Sequence, residues 1–220
     1  MTSVARTAPA RKAEATTRAL LDRCGRTYAA QAGIRLRNTP AALYQLLVLA
    51  HLLSARIRAD VAVAAARALF DAGMRTPERM AKATWQQRVD ALGAGHYRRY
   101  DERTATQLGD AARLLLDRYG GDLRKLRGAR DLRAALQEFP GIGPAGAEIF
   151  LREVQAVWPE CAPHIDAKAR EGAQRLGLPR SPKALSGLVA GDDVARLSAG
   201  LVRVALDRSL ADEVKARAAG

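Results

Sequence analysis

The chain has 220 residues, enough to bury a core as one large helical domain or two smaller ones. Its 36 Lys and Arg against 23 Asp and Glu leave a formal charge of +13, which favours a polyanionic partner, although an arginine-rich composition alone produces the same excess. Two distant cysteines, Cys24 and Cys161, exclude a four-thiolate iron–sulphur cluster built by this chain. With only three scattered histidines there is no zinc-ligand spacing either, so no metal and no cofactor is expected. The apolar run at 46–50 is cut by His51 and Arg56 far short of membrane-spanning length, and no signal-peptide core follows the basic start. The expectation is a soluble cytoplasmic protein with no membrane partner.

In chain order, residues 1–13 read as a loose basic tail and 14–33 as a helix. Thr39-Pro40 is a helix start, after which Leu43, Leu46, Leu47, Ala50 and Leu53 form the broad apolar stripe of a central helix. A corner at 53–60 follows, with Asp60 set to cap the next helix through Phe70. Thr76-Pro77 and Thr84 open two short helices, and Gly93-Ala94-Gly95-His96 interrupts the second. A long helix spans 101–118 and stops at Gly120-Gly121. Short helical pieces at 123–126 and 132–139 lead to a turn, and helices are expected from Ala145, from near Asp166, over 181–190 and over about 192–209. No strand pattern is visible, so the fold class is all-α.

The chain is organised around Phe139-Pro140-Gly141-Ile142-Gly143-Pro144-Ala145-Gly146. Two prolines prevent one uninterrupted helix, and the glycines permit a tight turn and close backbone approach. Such a hairpin leaves amides at Gly141, Gly143 and the next helix start pointing outward, a phosphate site in waiting; an ordinary helix corner has the same sequence. Arg56 and Arg58 lie at one turn, and Arg98, Arg99 and Arg103 surround Tyr97 and Tyr100 at another. Arginine grips phosphate and tyrosine stacks on bases, yet the same cluster fits a solvated loop with one anchored ring. Asp166 either caps its helix or stabilises positive charge on a sugar as a glycosidic bond breaks. Lys168, two residues on, does not share its helix face and is a phosphate contact or a surface residue.

These motifs resemble the helix–hairpin–helix base-excision DNA glycosylases, the superfamily of endonuclease III, over about residues 41–176. The resemblance rests on Leu52-Leu53-Ser54-Ala55-Arg56 with the Asp60 helix, the Gly93–Tyr97 turn, the Pro140-Gly141-Ile142-Gly143 hairpin and Ile165-Asp166. It implies a two-lobed fold: a six-helix lobe at 36–157 with the helix–hairpin–helix at 132–156, and a second lobe from 14–35 plus 158–220. It implies that the hairpin glycines, Gly146 included, grip a DNA phosphate, that a nucleotide is flipped out of the duplex, and that Asp166 is catalytic. Members that are also lyases carry a lysine where this chain has Ala145, so the resemblance points to a water-using, monofunctional glycosylase acting on damaged or mispaired bases. The family's duplex-probing glutamine is replaced by Arg56, which either fills the duplex gap or binds a phosphate. The expected partner is double-stranded DNA, lesion-bearing or distorted, bound by a monomer. A catalytically silent DNA-binding protein of the same fold is the alternative, and an abasic-site lyase using a displaced lysine such as Lys168 comes third.

Overall fold

The computed structural model describes residues 8–220, and among these every regular element is helical. α1 (Ala8–Cys24) opens the chain, followed by α2 (Tyr28–Gln31), α3 (Pro40–Ser54), α4 (Ala59–Asp71), α5 (Pro77–Lys82) and α6 (Trp85–Ala94). Next come α7 (Asp101–Tyr119), α8 (Leu132–Gln137), α9 (Pro144–Val154), α10 (Ala167–Arg175), α11 (Pro182–Ser186), α12 (Val194–Leu206) and α13 (Arg208–Ala219). The chain divides into two compact units: Tyr28–Val157, and the described part of Met1–Thr27 with Trp158–Gly220.

The Tyr28–Val157 unit is built on α3. Pro40 occupies its first turn, where the missing N–H costs nothing. Leu43, Leu46, Leu47, Leu49 and Leu52 are all buried, so the helix is apolar on nearly every side rather than along one stripe. It packs on α4 and α9. Thr76 caps α5, and Thr84 with Gln87 forms a capping box at the start of α6. α6 runs through Gly93, and Gly95 behind it lies against α4, where a Cβ would come within 2.3 Å of the Ala65 Cα. Gly120, left-handed at φ +59, ends α7.

Asp60 does not cap α4. Arg58 is the N-cap, and Asp60 sits inside the first turn, paired with the Arg58 guanidinium at 2.7 and 3.0 Å. The carboxylate still complements the positive helix end, and the Arg58 hydrogen bond holds its pKa below the usual range. Residues 28–35, expected with the chain ends, fall in this unit: buried Glu153 of α9 accepts the N–H groups of Tyr28 and Ala29 at 3.0 Å each. Those bonds satisfy the opening donors of α2 and tie it to α9.

Arg88 on α6 is buried, and no carboxylate pairs with it among the described residues. Its guanidinium donates to the carbonyls of Ala105 (2.7 Å), Met80 (3.1 Å) and Ala83 (2.6 Å), joining α5, α6 and α7. Gly109 makes room for it, because a Cβ there would stand 2.8 Å from Nη2.

In the other unit α12 is central, packed by α10, α1 and α13. Leu20, Ala169, Ala173, Leu197, Leu201 and Val214 build its core. Gly172 permits the closest crossing, since a Cβ would meet the Leu201 carbonyl oxygen. Of the expected tail, residues 1–7 lie outside the described residues, whereas 8–13 are helical. Pro9 suits a first turn, the Ala/Arg/Lys run that follows has high helix propensity, and Ala13 packs against the core. The helix expected over 192–209 breaks at Asp207, whose Oδ1 accepts from Ser209 and Leu210 and starts α13. No described helix is long and apolar enough to cross a membrane.

Candidate nucleic-acid interface

α8 and α9 form the hairpin. Asp131 caps α8, the chain turns with Ile142 N–H bonded to the Phe139 carbonyl at 2.9 Å, and Arg133 on α8 pairs with Glu148 on α9 at 2.6 Å. Gly143 is the extended N-cap of α9 and Pro144 its first residue. Ala147 is the first residue of α9 whose N–H finds a backbone acceptor, the Gly143 carbonyl at 3.0 Å. The N–H groups of Gly143, Ala145 and Gly146 make no backbone hydrogen bond among the described residues, and no side chain caps the helix. Gly143 and Ala145 are exposed, so the positive end of α9 opens to solvent.

A glycine seats this hairpin on the last turn of α3. Gly141 is left-handed at φ +84, and a Cβ there would lie 2.3 Å from Cε1 and Nε2 of His51. Gly146 is buried beside it, where an added Cβ would stand 3.6 Å from the Ser54 Cβ, an ordinary contact. His51 and Ser54 are three residues apart and share one face of α3. The Ser54 hydroxyl donates to the His51 carbonyl at 2.7 Å, which ends the helix tidily under the hairpin. The His51 ring is buried and bonded through Nε2 to Gln107 Oε1 at 3.2 Å. With the Gln107 amide oxygen facing the ring, Nε2 is the donor of this bond.

Beside the hairpin lies an open hollow of about 600 Å³, bordered by Ser54 and Arg56 from the end of α3, Arg103 and Gln107 from α7, and Gly141 and Gly143. Arg56 and Arg103 are exposed and have no carboxylate partner among the described residues. The carboxylate at this border, Glu138, is already paired with Arg118 at 2.7 Å. The hollow is therefore cationic, bordered by amide and guanidinium donors. That donor set suits phosphate oxygens.

Of the expected site residues, the hollow gathers Arg56, Tyr97, Gly141 and Gly143. Gly146 packs inside the hairpin, against Ile142 and Ser54. Tyr97 is fully buried, so its ring offers no stacking face. Its hydroxyl makes no well-formed hydrogen bond; burial pushes its pKa up, opposed by the neighbouring Thr104 hydroxyl. Tyr100 is the more accessible ring, with the Arg99 guanidinium 5.2 Å from its centroid. Arg58 is occupied by Asp60, and Arg98 is exposed but does not border the hollow.

Asp166 and Lys168 belong to the other unit. Asp166 is buried and is the N-cap of α10, its Oδ1 accepting from Ala169 N–H at 2.8 Å. Lys168 is exposed and paired with Glu171 at 2.6 Å, and Glu171 also holds Arg175. Sequence reasoning missed His51 and Gln107, and it weighed Arg103 only within the arginine cluster around Tyr97 and Tyr100. The available signal was the spacing of Arg103 and Gln107, one turn apart on the same face of α7.

No protein-family model and no curated protein matches the chain. Among solved structures, it is similar to endonuclease III in a trapped covalent intermediate with DNA, an estranged-adenine complex, at 19% identity and a TM-score of 0.50 over 85% of this chain and 83% of that one. It is similar to endonuclease III in a non-covalent DNA complex at 22% identity, with the same TM-score and coverage. The chain thus has the all-helical helix–hairpin–helix fold of endonuclease III.

Proposed function

We propose that this protein binds double-stranded DNA through the hairpin and the cationic hollow, and that it acts as a monofunctional DNA glycosylase. The observation that carries the reading is the row of amides at Gly143, Ala145 and Gly146 without a backbone acceptor, beside two arginines without a carboxylate partner, among the described residues. A phosphodiester supplies acceptors for the amides and charge for the guanidinium groups at once. In the proposed chemistry the nucleotide leaves the duplex and its N-glycosidic bond breaks toward the base. The Asp166 carboxylate stabilises the positive charge that develops on the deoxyribose. Water adds to the sugar carbon, and its proton leaves with the base. Ala145 supplies no amine, and Lys168 is engaged by Glu171, so no Schiff-base step is assigned.

A second reading, a DNA-binding protein without chemistry, draws on the cap bond from Ala169 to Asp166, which is reason enough for an aspartate there. The deciding experiment incubates wild type and Asp166→Asn with duplexes carrying uracil, oxidised pyrimidines, mispaired adenine, alkylated purines or an abasic site, with and without alkali. Cleavage that appears only after alkali and vanishes in the variant is the expected result. Direct nicking of the abasic duplex would establish a lyase instead. Tight binding with no product from any substrate would leave the binding protein.

A further inference from the structure

We infer that His51 is a positioning residue for phosphate binding, holding the hairpin turn so that the amides at the start of α9 face one point. The inference rests on the reading of the hairpin as the DNA-phosphate site. Its basis is geometric. The ring occupies the place where a side chain at Gly141 would stand, so the turn lies directly on the imidazole. The ring cannot swing away, because it is buried and Nε2 is tied to Gln107. Gln107 in turn belongs to α7, the helix that carries Arg103 to the same hollow. The ring's contact at Gly141 and one part-buried bond to Gln107 therefore link the hairpin and the helix that carries Arg103 to α3.

The charge around the ring fits this role. Burial foremost, with Arg103 adding to it, lowers the His51 pKa to about 4 against the raising effect of Gln107. The other charged groups bordering the hollow are Arg56 and Glu138, the latter neutralised by Arg118. His51 is thus uncharged at neutral pH and acts by shape and by one hydrogen bond. An aliphatic residue fills the space without the bond, while a residue with a side-chain amide keeps a donor for Gln107.

The test measures binding of the full chain to a duplex carrying a tetrahydrofuran abasic analogue, by fluorescence anisotropy over a salt series. His51→Leu and Gln107→Leu are each expected to bind about tenfold more weakly, since small misplacement of a site's donors costs this much or more. The slope of log affinity against log salt should stay that of wild type, because no phosphate contact is lost. His51→Gln should recover to within about threefold of wild type, which a mere packing role would not produce. Arg103→Ala, in contrast, should reduce the slope by about one. Wild-type affinity in both leucine variants, or failure of His51→Gln to recover it, overturns the inference. Gln107→Leu decides alone should His51→Leu not fold. A Gly143→Asp control separates the two ideas: if it too binds like wild type, the hairpin reading fails; if it alone is weak, only the role of His51 fails.

Discussion

Replacing Gly143 with aspartate sets helix capping against phosphate binding. Gly143 has the extended conformation of an N-cap, φ −89 and ψ −171, and a Cβ there meets nothing within 4 Å. Asp166 shows what a carboxylate does in nearly the same conformation, φ −71 and ψ 175, where its Oδ1 takes the Ala169 N–H at 2.8 Å. At position 143 the equivalent bond would consume the N–H of Ala145 or Gly146. Glycine is already a tolerable cap, so the gain from Asp, helped by the helix dipole, is about 0.5 kcal/mol. For a unit of this size that raises the melting temperature by roughly 1–2 °C. DNA binding should move the other way. A phosphate loses a charge-assisted bond, about 1.5–3 kcal/mol, and meets a like charge, about 1 kcal/mol in a solvated setting. The sum, about 3 kcal/mol, is roughly a hundredfold in affinity. Thermal unfolding and anisotropy with the abasic-analogue duplex measure the two sides. A raised melting temperature with DNA affinity within about twofold of wild type would refute the argument, because the amides would be capped and the phosphate indifferent.

Three further outcomes follow from the same structure. Arg88→Met removes a guanidinium that satisfies three buried or half-buried carbonyls, and denaturant unfolding should show a loss of about 3 kcal/mol, with a change below about 1 kcal/mol removing the case for it as a strut. His51, with a folded pKa of about 4, is protonated in the unfolded chain near pH 6.5 and in the folded protein only near pH 4, so the unfolded state binds more protons in that window and stability falls as pH drops through it. The depression amounts to about 3 kcal/mol at most, levelling off below pH 4, and unfolding of His51→Leu should lack that part of the slope. Asp60→Asn releases Arg58 from its exposed ion pair; DNA affinity should rise about threefold with a steeper salt dependence, and an unchanged slope would take Arg58 out of the interface.

Local chemistry was legible along the chain. Thr76-Pro77, the Thr84 box, the Gly120 stop and the Pro140–Pro144 hairpin depend on residues within a few positions of one another, and each forms where its sequence indicates. The same locality made Asp166 readable as a cap. Local rules also misplaced things when two local options competed: Asp60 was free to cap α4 but found Arg58, and Asp207 cut an apolar run that reads as one helix.

What the sequence by itself determined is therefore the helical class, several capped helix starts and the hairpin, because φ, ψ and capping preferences act over one or two turns, whereas the single helix expected over 14–33 is two, α1 and α2. Only tertiary packing decided that Arg88 is buried among carbonyls, that Glu153 draws 28–35 to α9, and that Arg103 and Gln107 meet Arg56 and the hairpin around one hollow. It also put a histidine from an apolar helix beneath Gly141. Burial and partnership at those positions depend on which faces of distant helices meet, and spacing along the chain does not encode that before the core has packed.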